Sequence, residues 1–222
     1  MYWEDIGYLL YKKNFRENSL IVDVFTYNHG RCSAIVYGGT SRKVKNYLQI
    51  GNKIFVVWKS KSDNNIGYFS TEIVEAISPM FFDDRKKTTA ILSATSILKL
   101  LLPEQQINKK IYNSFESLTK KIKNRDWIVQ FILWELQLIK ELGFDIDLSK
   151  NNVLNLNQID DRYVNEKINI TNLLFDVNIK NLSKMEVKKA LIFTRNLFLK
   201  NFFYQNDLNF PRSRIQLENY YN

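Results

Sequence analysis

The amino-acid sequence predicts an α+β fold, a small β-barrel followed by an all-helical region, because the two parts of the chain differ in composition. Six of the seven glycines lie in the first 67 residues, between runs of β-branched and aromatic residues that favour strands. From residue 80 onwards, apolar residues recur at helical spacing. We place the boundary near Ser78-Pro79 and expect two domains, residues 1–79 and 80–222.

Five short strands are predicted in the first domain, separated by turn-forming residues. They are Trp3–Lys12, Ser19–Thr26, Arg31–Tyr37, Lys53–Lys59 and Tyr68–Ala76. "YNHG" favours a tight hairpin turn, and the longer "GGTSRKVKNYLQIGN" connects the third strand to the fourth. Five strands with one long central connection are typical of a closed barrel such as the OB-fold. On pattern alone, an SH3-like barrel is the alternative.

Four helices are predicted in the second domain from apolar periodicity, as in Ile111, Phe115 and Leu118 of the second helix. Between Phe144 and Lys180 the pattern is weak and polar, so we expect an irregular insertion near residues 145–180. Residues that start or stop helices set the boundaries: Asp83 or Asp84 before the first helix, Pro103 after it, Gly143 after the third, and a capping box of Ser183 with Glu186 before the fourth.

The charge balance indicates an acidic partner. Lys and Arg number 32 against 23 Asp and Glu, a net charge of +9 that favours nucleic acid first and acidic protein tails second. One cysteine excludes an internal disulfide, and with one histidine it excludes a usual Cys/His zinc site. Neither a signal peptide nor a membrane span is predicted, because "MYWEDIGYLL" is acidic and "WIVQFILWELQLI" is interrupted by polar residues. We therefore expect a cytoplasmic, nucleoid-associated protein.

The stretch Gly30–Lys61 carries seven Lys or Arg and no acidic residue. A surface built only for solubility normally mixes signs, so this stretch favours phosphate contacts. The alternative is a solvated face whose aromatic residues point into the barrel. Four aromatic residues could stack on bases: Tyr37, Tyr47, Phe55 and Trp58. The predicted DNA-binding set adds two outlying residues to the seven and comprises Arg16, Arg31, Arg42, Lys43, Lys45, Lys53, Lys59, Lys61 and Lys87.

Catalytic and metal-binding patterns are weak. "GGTSRK" lacks the spacing of a phosphate-binding loop and is not expected to lead into a strong helix. His29 is expected to be a turn residue without a carboxylate partner, and Cys32 is expected to pack. Three acidic pairs could hold Mg²⁺ for a nuclease, but capping and turn formation explain them better: Asp83-Asp84, Asp145/Asp147 and Asp160-Asp161.

Ordered segments of the chain resemble one protein family. "ENSLIVDVFTYNHGRCSAIVYGGTSRK", "LQIGNKIFVVWKSK" and "GYFSTEIVEA" are similar to the N-terminal barrel of the RecO family of bacterial recombination mediators. "LPEQQINKKIY", "WELQLIKELGFDIDLS" and "NFPRSRIQLENYY" resemble its helical part and tail, so the match spans nearly the whole chain. The resemblance implies an OB-fold followed by an all-helical domain, with no enzymatic turnover and no cofactor.

The resemblance also implies partners. Proteins of this family bind single- and double-stranded DNA, anneal complementary strands, associate with RecR and with the acidic C-terminal tail of SSB, and help load RecA onto SSB-coated gaps in RecF-type repair. Many relatives carry a cysteine-based zinc site after the "LGF" segment; this chain has no cysteine near Asn151, so we expect no zinc there. The expected site for the SSB tail comprises Lys109, Lys110, Lys120, Lys121 and Arg125.

Two other hypotheses remain open at this point. A general single-stranded DNA- or RNA-binding OB-fold protein would share the basic barrel but would lack the match through the helical half. A Mg²⁺-dependent nuclease would use the acidic pairs.

Overall fold

Five strands form a closed barrel in the computed structural model, which describes residues 1–60, 66–144 and 182–222. Around the barrel the order is β1-β2-β3-β5-β4. Among the strand pairs of the described residues, β3–β5 is the parallel one, at Ile35 and Tyr68. The barrel and the helices after it confirm the predicted fold class. The strands are β1 (Tyr2–Asn14), β2 (Ser19–Thr26), β3 (Gly30–Tyr37), β4 (Lys53–Lys59) and β5 (Tyr68–Glu75).

The connection between β3 and β4 contains a short helix, α1 (Arg42–Tyr47). We expected that "GGTSRK" would not lead into a strong helix. The segment does lead into a helix, but α1 is only six residues long. The side chain of Ser41 caps it by accepting a hydrogen bond from the Val44 amide. Leu48, directly after the helix, is fully buried in the barrel interior. The inner side of α1 is thereby fixed to the barrel, and its other side faces solvent.

The helical part begins with a 3-10 turn, Ser78–Phe81. Asp84 caps the next helix by accepting from the amides of Lys86 and Lys87, and the predicted Ser183–Glu186 capping box is present. The predicted insertion near 145–180 lies outside the described residues. No helix in the described part of the chain combines the length and apolarity needed to cross a membrane. The helices are α2 (Arg85–Leu101), α3 (Lys109–Lys121), α4 (Trp127–Glu141), α5 (Lys184–Phe198) with a π-helical turn at Leu199–Phe203, and α6 (Arg212–Asn219).

One hydrophobic core joins the barrel to the helices. Tyr8 and Phe25, on the outer side of β1 and β2, are almost fully buried and belong to the same cluster as Tyr112 and Phe115 of α3. The ring centroids of Tyr8 and Phe115 are 5.0 Å apart, and those of Phe25 and Tyr112 are 5.5 Å apart. The Tyr112 hydroxyl also donates to the Ile6 carbonyl at 3.3 Å. Helix α3 is therefore fixed against the barrel wall.

A buried ion pair holds the last helix in place. Arg214 of α6 has no exposed side-chain surface, and its Nε donates to Glu135 Oε1 of α4 at 2.6 Å. Its Nη2 donates to Glu135 Oε2 at 3.1 Å and to the Leu191 carbonyl of α5 at 2.7 Å. Nearby, burial raises the pKa of Glu218, which lies 3.1 Å from Nη1 of Arg195. One guanidinium thus links α4, α5 and α6.

Arg214→Ala should lower the free energy of unfolding by about 3–5 kcal/mol, because it leaves the Glu135 carboxylate buried without its partner. Arg212→Ala is the matched control, since Arg212 lies on the same helix and is exposed. Urea unfolding followed by circular dichroism measures both variants. Equal unfolding midpoints for the two would contradict the structural role given to Arg214.

Candidate nucleic-acid interface

Among the described residues, helix α1 carries a group of unpaired cations. Arg42, Lys43 and Lys45 are all exposed, and within the described residues none of them forms an ion pair. Arg42 and Lys45 are three residues apart, so they lie on the same side of the helix. Free cations on a fixed backbone can contact successive phosphates without first breaking an internal ion pair.

Two residues of the predicted DNA-binding set are engaged between the barrel and the helices. Arg31 Nε donates to the Leu102 carbonyl at 2.8 Å, and its Nη1 lies 3.3 Å from Glu104 Oε1. Lys53 forms an ion pair with Glu116 of α3, and hydrogen bonding from Lys53 is the main cause of the lowered pKa of Glu116. Both cations are mostly buried, so the structure places them at the junction of the two parts rather than on an open face.

The other predicted cations are dispersed. Arg16 is exposed in the β1–β2 turn, with φ of 63° and its guanidinium 5.2 Å from the Phe15 ring. Lys59 is exposed at the end of β4. Lys87 lies on the helical part, where its ammonium is 3.5 Å from the Lys123 carbonyl. Lys61 lies outside the described residues. The structure therefore does not bring the full predicted set onto one surface.

The aromatic residues of the basic stretch differ in exposure. Tyr37 is 63% exposed. The Tyr47 hydroxyl donates to the Thr71 carbonyl at 2.7 Å, and Trp58 stacks on Trp3 with centroids 5.6 Å apart. Phe55 is also partly buried. Tyr37 is therefore the residue of the four predicted stacking residues that presents an open ring.

Two exposed tyrosines that the sequence reasoning missed extend this surface. Tyr2 is 61% exposed and pairs across strands with Lys59, which in turn pairs with Tyr68. The Tyr68 and Tyr37 rings are 5.9 Å apart. We call the line formed by Tyr2, Lys59, Tyr68 and Tyr37 the aromatic row. Only barrel closure brings β5 beside β3, so the sequence order gives no direct signal for it.

The aromatic row ends beside the turn that carries Arg16. Tyr37 pairs with Ser19, the first residue of β2 after that turn. Three residues beyond Tyr37, the Thr40 hydroxyl lies 3.4 Å from the Glu17 carbonyl of the same turn. Arg16, the aromatic row and the start of α1 are thus neighbours.

His29 has a carboxylate partner, contrary to the prediction. Its Nδ1 lies 3.0 Å from Oδ2 of the buried Asp5, and its ring stacks on Trp3 at 4.0 Å. Asp5 also accepts from the Asn28 amide at 2.7 Å. The prediction missed Asp5 because it is 24 residues away in sequence. These contacts hold the β2–β3 turn in place, so His29 has the structural role in the turn that was predicted for it.

Within the described residues, no three His, Cys, Asp or Glu side chains come together as possible metal ligands. Asp84 is occupied as the cap of α2. The acidic pairs Asp145/Asp147 and Asp160-Asp161, and the region of Asn151, lie outside the described residues.

The residues predicted to receive an acidic tail fall into two groups at opposite ends of α3. Lys109 and Lys120 are separated by about 16 Å of helix, at 1.5 Å per residue. Lys109 lies 4.6 Å from the Tyr27 ring, and Lys110 lies 4.0 Å from Glu141. Lys120 pairs with Glu116 of its own helix at 3.6 Å. The second group of the predicted residues is Lys120, Lys121 and Arg125. Two further lysines lie beside it: Lys123, which also pairs with Glu75 at 3.8 Å, and Lys87, whose ammonium is 3.5 Å from the Lys123 carbonyl. We call these five residues together the α3 basic cluster.

Comparison with known proteins gives consistent matches. The family model for Recombination protein O N terminal matches residues 1–77, and that for Recombination protein O C terminal matches residues 83–214. DNA repair protein RecO of Wolbachia pipientis subsp. Culex pipiens is 30% identical, over 96% of this chain and 97% of the relative. That of Ehrlichia chaffeensis is 32% identical, over 71% of this chain and 65% of the relative.

Cys32 should be inert towards alkylation in the folded protein. Burial raises the pKa of its thiol to about 12, so little thiolate is present at pH near 8. We expect iodoacetamide to label the native chain about 100-fold more slowly than the same chain unfolded in urea. Equal labelling rates, measured by mass spectrometry, would contradict the packing role of Cys32.

Proposed function

Because the chain belongs to the RecO family of DNA repair proteins, we propose that it is a non-enzymatic DNA-binding recombination mediator in RecF-type gap repair. In this role it anneals complementary strands and helps load RecA onto SSB-coated single-stranded DNA. The observation that carries the proposal is the unpaired basic helix α1 beside the aromatic row. Cations supply phosphate contacts and exposed rings supply base stacking, which together are typical of single-strand binding.

The proposed DNA path follows the neighbouring groups on the barrel. Phosphates contact Arg42, Lys43 and Lys45, and bases stack on Tyr37 and Tyr68. Arg16 lies in the β1–β2 turn, which adjoins both Tyr37 and Thr40, and adds a further cation. In OB-folds generally, the β1–β2 and β4–β5 loops and the face of strands 2 and 3 bind oligonucleotides, and Arg16 and Tyr37 occupy such positions.

The α3 basic cluster is the proposed site for the acidic tail of SSB. Five cations lie there near the exposed end of α3, and acidic peptide segments bind such clusters by charge-assisted contacts. The first group contributes two cations, Lys109 and Lys110, and lies at the far end of the helix. RecR is a further proposed partner, on family grounds.

The two-domain division at residue 79 remains a proposal, and the two family matches support it because one ends at 77 and the other begins at 83. The match over residues 83–214 also argues against the alternative of a general DNA- or RNA-binding OB-fold protein. Such a module would need only the barrel.

Replacing Arg42, Lys43 and Lys45 by Ala should weaken binding to single-stranded oligonucleotides and make the affinity less dependent on salt concentration. Each lost phosphate contact lowers the slope of log affinity against log salt by about 0.7, so the triple variant should lose about 2. Fluorescence anisotropy with labelled oligo(dT) over a series of NaCl concentrations measures both quantities.

A matched variant controls for net charge. Lys140, Lys184 and Lys200 are exposed on the helical part, and their replacement by Ala removes the same charge of three. This control should keep the wild-type slope. If the two triple variants behave alike, α1 is not the phosphate-contacting surface.

Charge reversal at Lys120 and Lys121 to Glu should weaken binding of an SSB-tail peptide about fivefold to tenfold, through like-charge repulsion. The same variant should anneal strands coated with intact SSB more slowly than wild type does. Annealing of strands coated with tail-deleted SSB should not differ between the two. Reversal of Lys184 and Lys200 is the control, and equal peptide affinity for both variants would reject this placement of the tail.

A further inference from the structure

A cavity of about 700 Å³ lies between the barrel and α2, within the volume range of small-molecule sites. Its two sides differ in chemistry. The barrel side carries cations and the α2 side is largely apolar. The lining residues that matter here are Lys12, Arg42 and Lys45 on the first side and Phe82, Ile91 and Leu92 on the second.

The cationic side lacks a counter-charge. The cavity lining contains no Asp or Glu, and within the described residues none of its three cations forms an ion pair. The Lys12 ammonium donates to the Leu48 carbonyl at 2.7 Å, which fixes it at the cavity wall. Burial, together with the nearby charge of Lys45, lowers the pKa of Lys12. An anion in the cavity would relieve this repulsion.

The apolar side presents an open aromatic ring. Phe82 is 58% exposed and belongs to neither hydrophobic core. It lies at the edge of the cavity, while Ile91 forms part of the buried wall. An exposed ring opposite a group of cations can stack on a base while the cations hold the attached phosphate.

The cavity adjoins the proposed DNA path. Thr40 lines it, and the Thr40 hydroxyl lies 3.4 Å from the Glu17 carbonyl in the turn that carries Arg16. Tyr37, at the end of the aromatic row, is three residues from Thr40, a span of at most about 11 Å of chain. A strand that stacks on Tyr37 can therefore continue into the cavity.

We propose that this cavity is a subsite for one unpaired nucleotide of single-stranded DNA, whose phosphate contacts Arg42 and Lys45 and whose base packs on Phe82. The inference rests on the proposed function, because it assigns a subsite to the same DNA path. Continuity with the aromatic row favours a nucleotide over an acidic peptide with an apolar end, the other ligand that a cationic and apolar cavity could take. Asn46 also lines the cavity, where its side-chain amide can donate to a base edge, and the Gln49 amide donates to the Asn46 carbonyl at 3.1 Å.

The test distinguishes protein contacts to the base from protein contacts to the phosphates. Affinity is measured for oligo(dT) and for an oligonucleotide of equal length made of abasic residues, with wild type and Phe82→Ala. The variant should bind oligo(dT) about tenfold more weakly, the loss of one stacked base, and should bind the abasic chain as wild type does. Phe82→Tyr keeps the ring and should restore oligo(dT) affinity.

Met80→Ala is the matched control, because Met80 is 47% exposed in the adjacent 3-10 turn and does not line the cavity. Unchanged oligo(dT) affinity in Phe82→Ala, or an equal loss for both oligonucleotides, overturns the subsite while leaving the proposed function intact.

An Asp-rich peptide ending in Phe forms a third arm of the experiment. If Phe82→Ala weakens that peptide but not oligo(dT), the cavity takes a peptide. Failure of wild type to bind either oligonucleotide would overturn the proposed function itself.

Discussion

The packing of aromatic rings between the barrel and α3 is the contact on which the arrangement of the molecule depends. Tyr8 and Phe25 leave the outer wall of the barrel and enter the same core as Tyr112 and Phe115. Burial of rings of this size contributes several kcal/mol in a domain whose net stability is about 5–15 kcal/mol. Ile91 and Ala94 of α2 belong to the same core, so α2 is also held against the barrel, and α1 and α2 lie on two sides of one cavity.

Ion pairs surround this apolar junction, and the cations in them are less available to a partner than the basic composition indicates. Arg31 with Glu104, Lys53 with Glu116 and Lys123 with Glu75 all join the barrel to the helices. Such pairs, at least partly exposed, contribute orientation more than stability. A cation count along the sequence therefore overstates the surface open to a polyanion, and the unpaired residues of α1 define it better.

The sequence predicts local features well and long-range pairings poorly. Runs of β-branched and aromatic residues bounded by turn residues identify the barrel, and a capping residue identifies the start of α2, because each signal lies within a few residues of the chain. Arg42, Lys43 and Lys45 are predicted as a group because they are nearly contiguous. The Arg31–Glu104 contact and the aromatic row depend on residues that approach only after barrel closure and helix packing, so composition and spacing carry no signal for them. Helix α1 is too short to show apolar periodicity.

We expect the Arg214–Glu135 pair to impose an order on folding during synthesis. The barrel strands are complete by Glu75, and N-terminal units generally fold first as the chain leaves the ribosome. Glu135 emerges 79 residues before the arginine that compensates its buried charge. Until then, full closure of α4 and α5 around that carboxylate would carry an unpaired charge into the core. We therefore expect the nascent chain to pass through a stage in which the barrel has formed while the helical part packs fully only after its last helix is synthesised.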